Sequence, residues 1–329
     1  MTALQSDWQD YVGNPSQIVR LERFVRAEGP GRGDRVLRVV SGGGLSFDVL
    51  PDRGFDIGHA EWNGTPLAWI SPAPWRSGEA QQGGMDWLRG FGGGLLTTCG
   101  LDSFGPPSDD GGRSHGLHGP ISAQRGEITE AEVTQSDVVI SGCVRQSGLF
   151  AENLRLNRRI TVPHGGSEIE VVDTITNDGC DPEGHMILWH CNFGWPLLER
   201  ASHIDGPGGT PEPRDGDAEA GLATWADVDG PHDVYPEQVF IHAAPSQASA
   251  RIVNPSRGIA LRLEWDGNAM PAMFQWKMLR RKHYVMGLEP ANTPAIHGRA
   301  RARADGALPE LQPGESRTYR LRITIEAVA

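Results

Sequence analysis

The chain has 329 residues, of which 38% are hydrophobic and 22% charged, and a formal net charge of −12. That composition excludes a disordered chain and provides apolar side chains for a sizeable core. Lys and Arg are dispersed apart from short groups such as Arg280-Arg281-Lys282, so no nucleic-acid face is expected and the partner is a small uncharged molecule or another protein, a homodimer included.

In chain order, the N-terminus "MTALQSDWQDYVGNPSQ" is acidic and polar where a secretory signal needs a basic start and an apolar run. Alternating apolar and polar residues then predict half-buried strands at "IVRLERFV" from Ile18 and "LSFDV" from Leu45. The same pattern returns at "EIEVVDTIT" from Glu168, "IALRLEW" from Ile259 and "YRLRITI" from Tyr319. Turn signals such as "SGGG", "WNGTP" and "NDGCDPEG" separate them, and 43 Gly with 24 Pro disfavour helices, leaving one short helical turn around "GMDWLRG". An all-β architecture follows, in one domain over residues 1–329 with loop insertions near 71–120 and 202–236. The second insertion is acidic and rich in Gly and Pro, which predicts a mobile flap or a contact to a second subunit.

No run approaches ~18 apolar residues, so no membrane span is expected. Cys99, Cys143, Cys180 and Cys191 lie far apart, with neither zinc-ribbon nor disulfide spacing, which suits a reducing cytoplasm.

Several polar residues interrupt the strand pattern. Arg53 stands in the turn "PDRGFDIG", and Asp102 follows the apolar run in "FGGGLLTTCGLDSFGP". His115 and His118 stand three apart in "RSHGLHGPIS", a spacing that fits a metal ligand pair, a polar binding pocket or a solvated loop. In "HMILWHCNFG", period-two geometry puts Met186, Leu188, His190 and Asn192 on one face and Ile187, Trp189, Cys191 and Phe193 on the other. Gln275 and Lys277 precede a basic turn, after which the strand "YVMGL" ends in Glu289-Pro290, with Asn292 just beyond. A carboxylate ending an apolar strand is placed to enter a cleft with its pKa open to burial. Histidines, one Glu and 10 Trp suit a carbohydrate, which offers both C–H faces and hydroxyls. Neither a Gly-x-Ser-x-Gly elbow nor a phosphate-binding loop occurs.

The succession "GLSFDVLPDRGFDI", "FGGGLLTTCGLD", "LHG", "EIEVVDTITNDG", "LWHCNFG" and "GLEPANTP" resembles the aldose 1-epimerase (galactose mutarotase) superfamily, and more narrowly a bacterial branch known as a domain of unknown function. The resemblance runs from about Gln17 to the C-terminus. It implies a large antiparallel β-supersandwich with few short helices and acid/base interconversion of sugar anomers without metal or cofactor. It further implies Glu289 as general base, His190 as acid and His118 as assistant, with carboxylate and imidazole on opposite sides of the ring. Arg53, Asp102, His115, Asn192, Gln275, Lys277 and Asn292 are the candidate substrate contacts. Two features depart from the family pattern. "TCGLDSFG" stands where an Asn-Arg segment is expected, and no aspartate between His190 and Glu289 matches the one that grips hydroxyls, for which Lys277 and Arg53 are candidate replacements. Two rival readings are a metal-dependent sugar isomerase built on His115, His118, His190 and Glu289, and a sugar-binding protein without turnover.

Overall fold

A computed structural model of the chain describes residues 8–75 and 83–328. Part of the 71–120 stretch, residues 76–82, lies outside the described residues. Three antiparallel sheets make up most of the molecule. Five strands pair in chain order: Arg20–Val25, Arg35–Val40, Leu45–Leu50, Asp56–Trp62 and Thr65–Pro66. An eight-stranded sheet has the spatial order His203–Asp205, Gln247–Asn254, Ile259–Asp266, Ser316–Ala327, Glu168–Asn177, Asn153–Pro163, Asp137–Ser147, Glu127–Val133. A six-stranded sheet runs Glu212–Pro213, Gln238–Ala243, Ala272–Arg280, His283–Ala291, Leu188–Gly194, Thr97–Cys99.

Period-two patterning decides which face of each strand is dry. Along Asn153–Pro163 the residues Leu154, Leu156, Ile160 and Val162 are buried, with Arg158 in the same series. They meet the inward residues of the six-stranded sheet, among them Trp189, Cys191, Phe193, Met273, Met286 and Leu288, in one apolar cluster. Full burial of each such side chain is worth about 1.5–3 kcal/mol. The opposite face of the six-stranded sheet carries a smaller cluster of Leu188, Val239, Phe274 and Ala291, covered by Trp87, Phe91, Phe104 and Leu117 from the loops. The sandwich therefore has one sheet with two buried faces, and the outer one holds the site.

Helices are few and short. Trp87–Gly90 falls in the stretch where the sequence predicts a turn of helix; Gly216–Gly221 and Arg299–Ala304 add two more. The 202–236 insertion is folded onto the body rather than extended from it. His203–Asp205 joins the eight-stranded sheet, Glu212–Pro213 joins the six-stranded sheet, and Asp215 caps the helix Gly216–Gly221 through the Ala218 N–H at 3.0 Å. Among the described residues, no helix is long and apolar enough to cross a membrane.

Candidate active site

Strand register builds the centre of the site. Leu188–Gly194 pairs with His283–Ala291 so that Leu188 faces Ala291 and Cys191 faces Leu288, which sets His190 opposite Glu289. Both side chains leave the outer face, 99 residues apart in sequence yet with Nε2 and Oε1 3.2 Å apart. The two atoms are near but not aligned for a hydrogen bond, and Glu289 Oε1 and His190 Nδ1 are buried without partners. Gly287 makes the space for this arrangement, since a Cβ there would stand 2.4 Å from Glu289 Oε1 and 3.1 Å from Trp276 Cβ.

Around the pair lies a cavity of about 540 Å³. Phe274 and Trp276 of the neighbouring strand form its floor beside Glu289, and Trp87, Phe91 and His118 form one wall. The rings interlock: Trp87 stacks on Phe91 at 4.3 Å, His118 lies 4.6 Å from Trp87, and His190 lies 5.0 Å from Phe91 and 5.5 Å from Trp276. At the sheet edge, Arg214, Asp215 and Glu237 close the far end. Arg214 bridges Asp215 at 2.7 Å and Glu237 at 3.0 Å, and the Trp276 indole donates to Glu237 Oε2 at 3.1 Å.

Burial dominates the electrostatics. It pushes the Glu289 carboxyl well above its ordinary range, an effect the Glu237 carboxylate adds to and Arg214 partly offsets. Burial also drives the His190 imidazole well below its usual value, with the His118 ring adding to the effect. His118 itself is held down to about 4 by burial. Burial thus favours the uncharged forms of both imidazoles and of the Glu289 carboxyl. The His190–Glu289 pair can give and take a proton within one small bound molecule, while the rings receive its apolar face.

The comparisons place this geometry in a family. A family model described as "Domain of unknown function (DUF4432)" matches residues 31–325. The chain belongs to that family. No curated protein matches the chain. Among solved structures, "a putative aldose 1-epimerase" from Klebsiella pneumoniae is similar over 95% of this chain and 86% of its own, with 25% identity and a TM-score of 0.86. A galactose mutarotase-like protein from Clostridium acetobutylicum shares the fold at 11% identity and TM-score 0.68, covering 95% of this chain and 100% of that one. Galactose 1-epimerase from Lactobacillus acidophilus does so at 12% identity and TM-score 0.64, with coverages of 94% and 100%.

In this DUF4432 chain, the residues named from sequence separate into those at the cavity and those away from it. His118, His190 and Glu289 line the cavity together. The carboxylate and imidazole stand side by side, because their strands are hydrogen-bonded neighbours. Gln275 and Lys277 alternate with Phe274 and Trp276, so they point to the other face; Gln275 bonds His242 at 2.9 Å, and the Lys277 ammonium, lowered to about 8 by burial, donates to Thr224 O at 2.6 Å. Arg53 is buried in the turn before Asp56–Trp62, away from the cavity lining, with Asp56 and Asp34 as charged neighbours. Asn192 donates to the carbonyls of Gly94 and His190 at 3.1 and 2.8 Å. Asn292 accepts from Ile187 N–H and donates to His185 O, each at 2.9 Å. Both amides brace strands.

Asp102 and His115 line a different, polar cavity of about 280 Å³. Their pairing, with His115 Nδ1 2.9 Å from Asp102 Oδ2, takes His115 out of any four-ligand metal cluster with His118, His190 and Glu289. Among the described residues, no group of three or more His, Cys, Asp or Glu is arranged to hold a metal ion. Sequence reasoning missed Trp87, Phe91, Trp276, Gly287, Arg214 and Glu237. The aromatic content suits a carbohydrate but does not say which rings line the cavity, and Arg214 lies inside the insertion expected to be a mobile flap or a contact to a second subunit. Glu237 stands between His190 and Glu289 in sequence, the interval in which a hydroxyl-gripping acid was sought.

Proposed function

We propose that the protein is an aldose 1-epimerase-like isomerase that interconverts the anomers of a free sugar by opening and reclosing its hemiacetal ring. The observation that carries this reading is the His190–Glu289 pair, 3.2 Å apart on the floor of an aromatic-walled cavity. The ring oxygen and the anomeric hydroxyl of a sugar sit on the same carbon, so an acid and a base standing side by side reach both.

One member of the pair removes the proton of the anomeric hydroxyl while the other protonates the ring oxygen. The bond from the anomeric carbon to the ring oxygen breaks, and an aldehyde and a free hydroxyl form. Rotation about the bond from the first to the second carbon and the reverse proton transfers deliver the other anomer, with the same total of protons on the enzyme. In the sugar-free cavity burial favours the proton on Glu289 and leaves His190 as the acceptor. With the proton on His190, Glu289 is the base, the assignment the family resemblance implies. Since ring opening and closing are mirror steps, both assignments are used in one cycle.

His118, neutral and with a buried unpartnered Nδ1, supplies a further hydrogen-bonding group at the wall. Phe274 and Trp276 receive the C–H face of the ring, and Glu237, held by Arg214 and Trp276, reads hydroxyls at the far end. Two-dimensional NMR exchange between anomers, recorded on a panel of neutral, deoxy, acidic and phosphorylated aldoses, tests the proposal. Acceleration of at least one sugar above its spontaneous rate is expected, and none on any would sink it. Saturable binding without acceleration would favour the sugar-binding reading.

A further inference from the structure

The pair of histidines in "RSHGLHG" divides its labour. His118 adopts a left-handed backbone conformation, φ 56°, which a non-glycine residue rarely takes unless its surroundings hold it there. Those surroundings are the segment 100–105. His118 N–H donates to Gly105 O at 3.0 Å, Gly100 N–H donates to His118 O at 2.9 Å, and Ile121 N–H donates to Gly100 O at 3.3 Å. The contact is close enough that a Cβ on Gly119 would meet Gly100 O at 2.3 Å and Ser103 O at 2.6 Å.

Among the described residues one ion pair joins the two segments, that of His115 with Asp102. Asp102 is itself rooted in three places. Gln146 Nε2 donates to its Oδ1 at 2.5 Å, Gln146 Oε1 accepts from the N–H of the preceding Leu101 at 2.7 Å, and Arg299 Nη1 donates to its backbone carbonyl at 2.8 Å. Burial raises the Asp102 carboxyl, but the bonds from His115 and Gln146 and the charge of Arg299 outweigh it and hold the group below its ordinary range, hence ionised. Facing an ionised acceptor, His115 carries its proton on Nδ1. On its other side, His115 Nε2 and Ser103 Oγ are buried without partners beside the 280 Å³ cavity, which is room into which an untied loop can move.

We infer that Asp102 and His115 are positioning residues that clamp His118 against Trp87, in place of the substrate contacts their polarity suggests. The inference rests on the role proposed above for His118 in catalysis, but the clamp itself is readable without turnover. It also accounts for the departure at "TCGLDSFG": where other members of the superfamily are expected to carry a different polar segment, this chain carries the anchor of its own histidine loop.

The test uses His115→Leu, which removes the donor, and His115→Asn, whose amide nitrogen stands near the position of Nδ1 and restores it. Asp102→Asn, which keeps size, serves as a second probe of the tie should His115→Leu fold poorly. Expected for His115→Leu is a kcat about 10- to 100-fold lower with KM within about threefold, the effect of a group displaced by about 1 Å. His115→Asn should recover most of the rate, and Asp102→Asn should fall between. In parallel, the ring protons of His118, 4.6 Å from the Trp87 ring, should lose their ring-current shift in His115→Leu and keep it in His115→Asn. A wild-type rate and unchanged His118 signals in His115→Leu would overturn the clamp. So would a large KM rise with kcat retained, which marks a substrate contact, or losses in both variants that merely follow the unfolded fraction. If the wild type turns over no sugar, the proposed function fails, while the His118 signals still decide the clamp.

Discussion

Two regions of this molecule bury ionisable side chains, and they treat them in opposite ways. Between the sheets, Arg158 bonds Asp173 through Nε at 2.7 Å and Nη2 at 2.6 Å, reaches Asp56 at 3.2 Å and donates to Thr98 Oγ1 at 2.8 Å, while the Trp189 indole donates to Asp173 at 2.8 Å. Here each guanidinium nitrogen has a partner, and one cluster fastens all three large sheets. On the other side of the same strand, His190 Nδ1, His118 Nδ1 and Glu289 Oε1 are buried and unpartnered. An unsatisfied buried polar atom costs about 1–3 kcal/mol, so the first region stabilises the fold and the second holds bonding capacity in reserve for a ligand.

Breaking the first region should have the largest effect. Arg158→Ala leaves Asp173 as a buried carboxylate without its cation and Asp56 with Arg53 alone, and unfolding in urea should show a loss of about 3–5 kcal/mol. A loss below about 1 kcal/mol would show that water relaxes the cluster and would erase the contrast. Glu289→Gln should do the reverse, leaving stability near wild type while anomer exchange falls by ~10²-fold or more, the usual share of a positioned acid or base. An unchanged rate on a sugar the wild type turns over would remove Glu289 from the chemistry.

Lowering the pH sharpens the comparison further. Burial holds His118, His185 and His242 to about 4 in the folded chain, below the ordinary 6.5. At these three imidazoles the unfolded chain takes up protons first, so their contribution to stability should decline as pH falls from about 6.5 to about 4, opposed in part by the buried Asp56, whose carboxyl is raised to about 6. Activity should fall as His118 charges near 4, and His118→Gln should remove its share of the stability slope. Gly287→Ala is a smaller perturbation: its methyl group displaces the Glu289 carboxyl, and a roughly tenfold fall in kcat at near-wild-type stability is expected. The mildest change is Glu237→Gln at the far end. Loss of a charged hydroxyl acceptor should raise KM about 2- to 10-fold, as one hydrogen bond of about 0.5–1.5 kcal/mol allows, and leave kcat nearly constant. A kcat effect larger than the KM effect would place Glu237 nearer the reacting centre.

Much of the site was legible because strand alternation is a local property. "LWHCNFG" announces which residues share a face with His190, and the structure puts Leu188 and His190 on the cavity side and Trp189, Cys191 and Phe193 in the inter-sheet core. The same rule, applied across "FQWKM", separates Gln275 and Lys277 from Phe274 and Trp276, but it does not say which pair meets the cavity. Polarity pointed to the first pair and packing chose the second. The insertion shows what local composition leaves open: its Gly and Pro content marks a long excursion but does not say that its short strands each pair at a sheet edge and bring Arg214 to the cavity.

Taken alone, the amino-acid order determined the all-β class, the positions of the principal strands, and the candidacy of His118, His190 and Glu289. These depend on residue type and on a period of two, both of which are written along the chain. Tertiary structure alone decided that His190 and Glu289 touch side by side, that Gly287 makes room for the carboxyl, that Glu237 and Arg214 close the cavity, and that His115 faces Asp102 instead of joining His118. Each of these is set by register between strands distant in sequence or by burial, and burial also sets the protonation of the pair. Neither quantity is a property of any one segment; both arise only when the sheets have met.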